Sequence, residues 1–544
     1  TYLKFNHCYL DFLYLPRPLR HNILVQSLPK MCTQLMYTIM CGIWATFGIA
    51  GGTCGTCLKC FSAIMHRGPD AWRLEQDARE PLVLFGFQRL TILDSLWGMQ
   101  PMRLHRYPRT TLICNGEIYN HERLREQHKF PYETKCDVEA IIHAYHNFGI
   151  EETVRQLDGV FAFALVDGEK RKVYIARDPY GVRPLFEFVD EEQGILGICS
   201  EGKGLTGLKE KSSEIYTLGQ FPPGHFEVWS LADNGRVSRD TREQYFKPGQ
   251  VPKFLPLVPE SEMVKMNVYE KTAHLLEAAC RKRLMADRRI GCLLSGGLDS
   301  SLITALVVKL SKQYKLPYKI QTFAIGMGDS PDLIAARTVA DYLGTEHHEV
   351  RFDENDVRQA LDNVIYHLES YDITTTRASL PMYLLAKYIK ENTDTTVVFS
   401  GEGADEVAQG YIYFRDAPSV QAGHEESLRL LSDIYLYDGL RADRTTSAFS
   451  LELRVQPQNG VEKHLLRNSF AKSGLLPDSI LWRHKEAFSD GVASVKKSLF
   501  TTISEVISER LPDEDVQYQG LQPTTKESKY YRYVFENTYY LAVS

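Results

Sequence analysis

The stretch Ile290-Gly291-Cys292-Leu293-Leu294-Ser295-Gly296-Gly297-Leu298-Asp299-Ser300-Ser301 decides the fold class of the second half of the chain. Its first five residues read as a short buried strand, Ser295-Gly296-Gly297 as a turn, and Leu302 to Leu310 as a helix. Where a strand hands over to a helix, unpaired backbone N–H groups and the helix dipole converge on one point, and that point favours an anion. The glycines let backbone approach phosphate closely, the serine hydroxyls donate, and Asp299 can hold a Mg2+ whose other ligands are phosphate oxygens. The chain lacks the Walker pattern with its lysine, so an ordinary P-loop is excluded. A bland strand–helix turn is the alternative.

The same rhythm continues downstream. Thr322 to Ile325 reads as a strand, Ser330-Pro331 opens a helix, and Val397-Val398-Phe399 is a further buried strand with a glycine-containing turn after it. Strands alternating with helices predict an α/β domain with a parallel sheet and ligands at the carboxyl ends of its strands. The second turn, Ser400-Gly401-Glu402-Gly403-Ala404-Asp405-Glu406, carries three acids, an odd choice for a helix start beside phosphate. It suggests a place where a cationic group, a metal or an incoming amine is handled, although Glu402 alone could be a cap. Glu406 stands in the place of a third glycine, so this is no dinucleotide fingerprint. Arg467, Arg483 and Lys485 offer charge to neutralise a leaving pyrophosphate, and each taken singly reads as a solvated surface residue.

Upstream, Pro248, Pro252, Pro256 and Pro259 mark a linker over residues 246–260, which divides a first domain at 41–245 from a second at 261–544. In the first domain Val160 to Val166, the Asp167-Gly168 turn and Val173 to Ala176 predict an antiparallel hairpin. Val138, Ile141, Ile142 and Tyr145 fall at helical spacing, with Thr134 and Asp137 before them and Gly149 after. An α+β layered domain follows. Cys41 opens it, and a cysteine becomes a strong nucleophile if a base lies beside it; its own α-amine would serve once freed. A buried cysteine starting a strand is the bland alternative.

Composition narrows the remaining classes. The chain has 544 residues, 44% hydrophobic and 24% charged, with 63 Lys+Arg against 69 Asp+Glu and a net charge of −6. That length predicts two to four domains with a real core, and that charge gives no reason to expect a nucleic-acid partner. The 11 cysteines, none after Cys292, are too sparse for a disulfide scaffold, so a reducing compartment is expected. Cys54-x-x-Cys57-x-x-Cys60 has the opening spacing of an iron–sulfur run without its continuation, and reads as free thiols in a Gly/Thr-rich loop. Met31 to Leu58 carries no charge, but its glycines make a poor spanning helix, while Ile43, Ala45 and Phe47 alternate as a strand would. No membrane partner is expected. Residues 1–39 lack the pattern of a secretory signal and leave a transit peptide open.

Cys41-Gly42-Ile43, His66-Arg67-Gly68-Pro69-Asp70, Asn115-Gly116-Glu117-Ile118-Tyr119-Asn120, Asp158-Gly159-Val160-Phe161-Ala162 and Arg177-Asp178-Pro179-Tyr180-Gly181 resemble the N-terminal-nucleophile (Ntn) glutamine amidotransferases. Ser295 to Ser301 with Ser400 to Glu406 resembles the ATP-pyrophosphatase half of the glutamine-hydrolysing asparagine synthetases, and the likeness runs from Met40 to about Asp490. It implies a four-layer α+β Ntn-hydrolase sandwich of antiparallel sheets followed by an α/β ATP-pyrophosphatase domain with a parallel sheet. The implied reaction amidates L-aspartate to L-asparagine through β-aspartyl-AMP, with glutamine, aspartate and ATP as substrates, Mg2+ as cofactor, a cytoplasmic setting and a homodimer as the assembly to look for.

By the same resemblance Cys41 attacks the glutamine amide, and Asn115 with the Gly116 backbone forms the oxyanion hole. Arg89 grips the substrate carboxylate, Glu117 and Asp137 take its amino group, and Leu90, Thr91, Ile92 and Leu93 line the pocket. Ser295, Gly296, Gly297, Asp299 and Ser300 hold pyrophosphate and magnesium, while Leu293, Ile325, Ser400 and Gly401 contact the nucleotide. Glu402 assists ammonia attack, Asp405 binds metal or the amino acid, and Lys485 steadies the transferred charge. Ammonia has to cross as neutral NH3, so the family implies an apolar tunnel between domains.

Two features depart from the family. Its nucleophile is the mature N-terminus, whereas 39 residues and Met40 precede Cys41; glutaminase activity is expected only if the extension 1–40 is removed or translation starts at Met40. After Leu451-Glu452-Leu453-Arg454-Val455 the family continues with a Pro-Phe-Leu-Asp segment and a helix, where this chain has only Gln456-Pro457-Gln458-Asn459-Gly460. These departures keep open a catalytically impaired variant with a binding or regulatory role, or a synthetase for another carboxylate. A β-lactam-forming synthetase shares both halves but typically lacks an intact amidase set. Other Ntn amidotransferases lack the Ser-Gly-Gly-Leu-Asp-Ser turn.

Overall fold

A computed structural model describes residues 41–49, 54–80, 82–249, 266–407, 409–448, 452–454, 463–483, 492–493, 498–511, 518 and 522–539. The expectations for residues 1–40, for most of the linker, for the shortened segment after Val455 and for Lys485 lie outside them.

Among the described residues twelve strands build the first half: β1 Gly42–Phe47, β2 Ala71–Gln76, β3 Val83–Arg89, β4 Met102–Leu104, β5 Tyr107–Ile118, β6 Gly159–Asp167, β7 Lys172–Arg177, β8 Phe186–Asp190, β9 Ile195–Cys199, β10 Thr217–Gln220, β11 His225–Leu231 and β12 Val237–Gln244. They form two six-stranded antiparallel sheets, ordered β10-β8-β9-β1-β3-β2 and β12-β11-β7-β6-β5-β4. Every residue of β1 is buried, because the strand is central in its sheet and covered on both faces. Ile43, Ala45 and Phe47 face Ile113, Ala164 and Ile175 between the sheets. Trp44 points the other way onto Cys57, Cys60 and Phe61 of α1 (Cys54–Ser62). On the outer face of the second sheet, α2 (His121–His128) and α3 (Glu139–Phe148) bury Leu124, Ile141 and Tyr145 against Leu112, Phe161 and Phe163. The order helix, sheet, sheet, helix is the four-layer sandwich expected. One local expectation fails: Cys54 to Cys60 is helical rather than a loop, since burying Cys57, Cys60 and Phe61 on Trp44 outweighs its poor helix propensity.

The second half opens with α4 (Val268–Lys282), started by an Asn267–Glu270 capping box. Strands β13 Ile290–Leu293, β14 Gln321–Gly326, β15 Glu346–Arg351, β16 Val397–Phe399 and β17 Glu452–Arg454 pair in parallel in the order β15-β14-β13-β16-β17. Helix α5 (Leu298–Gln313) and the Ser330-capped α6 (Pro331–Leu343) cover one face, burying Leu302, Leu306 and Val339. Helices α7 (Glu354–Leu368) and α8 (Ile373–Asn392) cover the other with Leu361, Ile365 and Leu385. The strand order reverses beside β13, where β14 lies on one side and β16 on the other. Both glycine turns therefore leave the carboxyl edge of the sheet from neighbouring strands, the usual place for a ligand.

Candidate active site

The first cavity, about 50 Å3, opens where the two antiparallel sheets meet the second half, and it is lined by Cys41, Arg89, Leu90, Ile92, Leu93, Asn115, Gly116, Glu117 and Asp137. Of the residues expected there, Thr91 alone does not line it; its N–H is held by Asp70 Oδ2 at 2.8 Å. Cys41 sits just before β1, half-buried, with Sγ donating to the Leu90 carbonyl at 3.2 Å and accepting from the Leu90 N–H at 3.3 Å. Two further cysteines line the same cavity, Cys114 and Cys136. Burial, with Asp137 adding to it, pushes both of those thiols well above the usual range, which leaves Cys41 as the chemically available sulfur of the three.

Arg89, at the end of β3, is buried and fixed by the Ser95 carbonyl at 3.2 Å and by the Asp94 carbonyl. Asp137 Oδ2 accepts the Ile118 N–H at 2.6 Å, tying the start of α3 to the end of β5. Asn115 pairs with Ala162 across β5 and β6, and its side-chain amide nitrogen is buried without a hydrogen-bond partner. An unsatisfied buried donor is costly, and such sites persist where a substrate group supplies the acceptor. One cavity lined by a cation, two carboxylates, a thiol and an unpaired amide suits an α-amino acid bearing an acyl group to be attacked. Sequence reasoning missed Gln100 and Arg183, which also line this cavity. Gln100 exchanges two hydrogen bonds with the Cys114 backbone, at 2.5 and 3.0 Å, and Arg183 stands two residues beyond Gly181, so the motif already quoted pointed at it.

At the second site Ser295 Oγ and Ser300 Oγ lie 3.0 Å apart, and Ser300 Oγ also takes the Ser295 N–H at 3.2 Å. Gly296 has φ +74, and a Cβ there would come within 2.5 Å of Ala335 Cβ and Ala336 N on α6, so no other residue fits. The two turns touch, since a Cβ on Gly401 would lie 2.8 Å from Ser300 N. Asp299, Ser400 and Gly401 share a small cavity of about 10 Å3. Leu293 ends β13, and Ile325 lies near the end of β14.

Lys463, at the start of α11, binds Asp299 Oδ2 at 2.8 Å and Asp405 Oδ1 at 2.7 Å, with α9 being Ala404–Val407, α10 Asp438–Ser447 and α11 Lys463–Phe470. The cation at this carboxylate pair is thus Lys463, a residue that sequence reasoning did not single out. Arg467 donates to the carbonyls of Leu481 and Arg483, and Arg483 pairs with Asp332 at 3.0 Å. Asp299 Oδ1 is buried without a hydrogen-bond partner, which suits a cation ligand. Glu402 accepts from Arg441 of α10 at 2.7 Å, and Glu406, pushed up to about 7 by burial and Asp438, accepts from Tyr411. Among the described residues no group of three or more His, Cys, Asp and Glu is placed to hold a metal, Cys57 and Cys60 form no disulfide, and no helix is long and apolar enough to cross a membrane.

Comparison with known proteins assigns the two halves. A family model described as "Glutamine amidotransferase domain" matches residues 40–220, and one described as "Asparagine synthase" matches residues 271–428 and 456–538. The chain is 49% identical over 532 residues to "Asparagine synthetase [glutamine-hydrolyzing]" of Cricetulus griseus, covering 92% of this chain and 94% of that protein. It is likewise 49% identical over 533 residues to the protein of that name from Homo sapiens, with the same 92% and 94% coverage. The Gallus gallus protein of that name is 49% identical over 532 residues, again covering 92% and 94%.

Proposed function

The chain belongs to the glutamine-hydrolysing asparagine synthetases, and we propose that it amidates L-aspartate to L-asparagine at the expense of ATP, with nitrogen taken from glutamine. In this reading Arg89 meets the glutamine carboxylate and Glu117 with Asp137 its ammonium group. Cys41 Sγ attacks the amide carbon, and its α-amine, when free, takes the thiol proton and passes it to the leaving ammonia. The oxygen that gains charge is met by the Asn115 amide and the Gly116 N–H, donors already in place before the reaction. The thioester left on Cys41 is then hydrolysed to glutamate. What carries the reading is the unpartnered Asn115 amide in one cavity with Cys41, Arg89 and Asp137.

At the second site the ATP phosphates meet Ser295, Gly296, Gly297 and Ser300, with Leu293, Ile325, Ser400 and Gly401 toward the nucleoside. The aspartate carboxylate attacks the α-phosphorus, pyrophosphate leaves, and ammonia displaces AMP from β-aspartyl-AMP while Glu402 takes the surplus proton. Asp299 and Asp405 would hold Mg2+, which supplies charge neutralisation for the phosphates; Asp299 Oδ1 supports that fit. Lys463 offers an ammonium beside the same carboxylates, and Lys485 is kept as a further charge-steadying residue. The division at 41–245 and 261–544 is supported by β12 ending at Gln244 and α4 beginning at Val268. A cytoplasmic setting is supported by eight cysteines among the described residues that form no disulfide, and a homodimer is the assembly to be read by sedimentation.

The test supplies amide-15N glutamine, aspartate, ATP and Mg2+ to protein that begins at Cys41, so that its α-amine is free. Labelled asparagine should form with AMP and pyrophosphate in equal amounts, and Cys41→Ala should abolish it while ammonia still supports synthesis. Release of ADP, or transfer of label in Cys41→Ala, would overturn the proposal.

A further inference from the structure

The residues that would grip glutamine are held by a loop whose anchor belongs to the other half of the molecule. Asp94, with φ 51, is the centre of that loop. Its carbonyl accepts from Arg89, and its carboxylate accepts the Trp97 N–H at 2.9 Å and the Lys135 N–H at 2.8 Å. One residue therefore fixes both the arginine at the carboxylate end and the segment running into Asp137. Asp94 in turn is fixed from outside its own domain. Its N–H donates to Asp287 Oδ2 at 3.1 Å, and the Asp287 N–H donates to the Ile92 carbonyl at 2.8 Å. Leu90 and Ile92 are buried in the core that contains Leu276, Leu302 and Leu466 of the second half.

We propose that Asp287 is a positioning residue for glutamine: two hydrogen bonds of opposite sense clamp the pocket loop onto the segment that feeds β13. This rests on the reading of Arg89 and Asp137 as glutamine-binding. The clamp removes loop freedom that substrate would otherwise have to freeze, so losing it weakens binding without touching the thiol or the adenylating site. It also makes the glutamine pocket a joint product of both halves.

The test uses the full chain and calorimetric glutamine binding, a readout that needs no turnover. Asp287→Ala is expected to raise the glutamine Kd about tenfold. Asp287→Asn, which keeps an acceptor for Asp94, should stay within about twofold of the parent. In both variants ATP binding and ammonia-dependent asparagine formation are unchanged. Asp287→Ser, whose hydroxyl is too short to reach, is a third variant and should behave as Asp287→Ala. An unchanged glutamine Kd in Ala and Ser, or an equal loss of ATP binding, overturns the proposal. Arg89→Ala separates it from the underlying reading. Weakened glutamine binding there with none in Asp287→Ala removes the positioning role alone, whereas intact binding in Arg89→Ala removes the pocket assignment and the positioning role together.

Discussion

Glu406 shows how a single buried group sets a pH dependence. Burial, with Asp438 next, raises its carboxyl from 4.5 to about 7, and Tyr411 donates to it. Because the folded value lies above the unfolded one, the folded protein holds a proton between those two pH values that the unfolded chain has released. Stability therefore falls as pH rises through that window, and above it the buried charge costs up to about 3 kcal/mol. Glu406→Gln keeps an acceptor for Tyr411 and removes the charge. It is expected to raise the thermal midpoint at pH 8 and to change it little at pH 5; an equal gain at both would contradict the assignment. At this same scale the sequence was only half legible. Asp299 and Asp405 announce themselves beside glycines, but Lys463, 164 residues after Asp299, has no local pattern that tells it from a surface lysine, and only folding brings the charges together.

At the scale of elements, the two glycine turns act as one piece. A Cβ on Gly401 would stand 2.8 Å from Ser300 N and 2.9 Å from the Asp299 carbonyl carbon, both backbone, so Gly401→Ala has to push the turns apart. The expected result is loss of ammonia-dependent asparagine synthesis by at least about tenfold, with hydrolysis of glutamine unaffected, since the first cavity lies in other elements. Product assays run separately on the two half-reactions decide this. If both fall together, the turns are not independent of the first site. These turns were readable because a strand, glycines and a helix each leave a local signature. The hairpin β6–β7 was readable for the same reason, through Asp167-Gly168. Helix α1 was not, because Gly55 and its threonine and cysteine neighbours favour a loop and only contact with Trp44 makes it helical. Helix α2 was also missed: His121–His128 has Leu124 as its single buried apolar residue, too little for a periodic pattern.

Across the whole molecule, a buried charge network joins the halves. Arg67 binds Asp443 of α10 through two contacts of 3.0 Å and Glu201 at 2.6 Å, and Arg444 binds Glu201 at 2.8 Å and Glu369 at 2.7 Å. Lys203 pairs with Glu201 and donates its N–H to Glu369 at 2.5 Å, so the three cations Arg67, Arg444 and Lys203 meet the three anions Glu201, Glu369 and Asp443. Burial pushes the Glu201 carboxyl up, but Arg444, His66, Lys203 and Arg67 together hold it well below the usual carboxylate range. Balanced in this way, the network adds less net stability than its contacts suggest, because every charge in it was taken out of water. Its removal is another matter. Asp443→Ala leaves the fully buried Arg67 without its two-point partner, and breaking one member of such a set typically costs about 3–5 kcal/mol, against less than about 1 for an exposed pair. Denaturant unfolding of Asp443→Ala should show the larger loss, and Asp443→Asn, which keeps an acceptor, a smaller one. A change under about 1 kcal/mol in Asp443→Ala would mean that water reaches Arg67 and that this pair does little to hold the halves together.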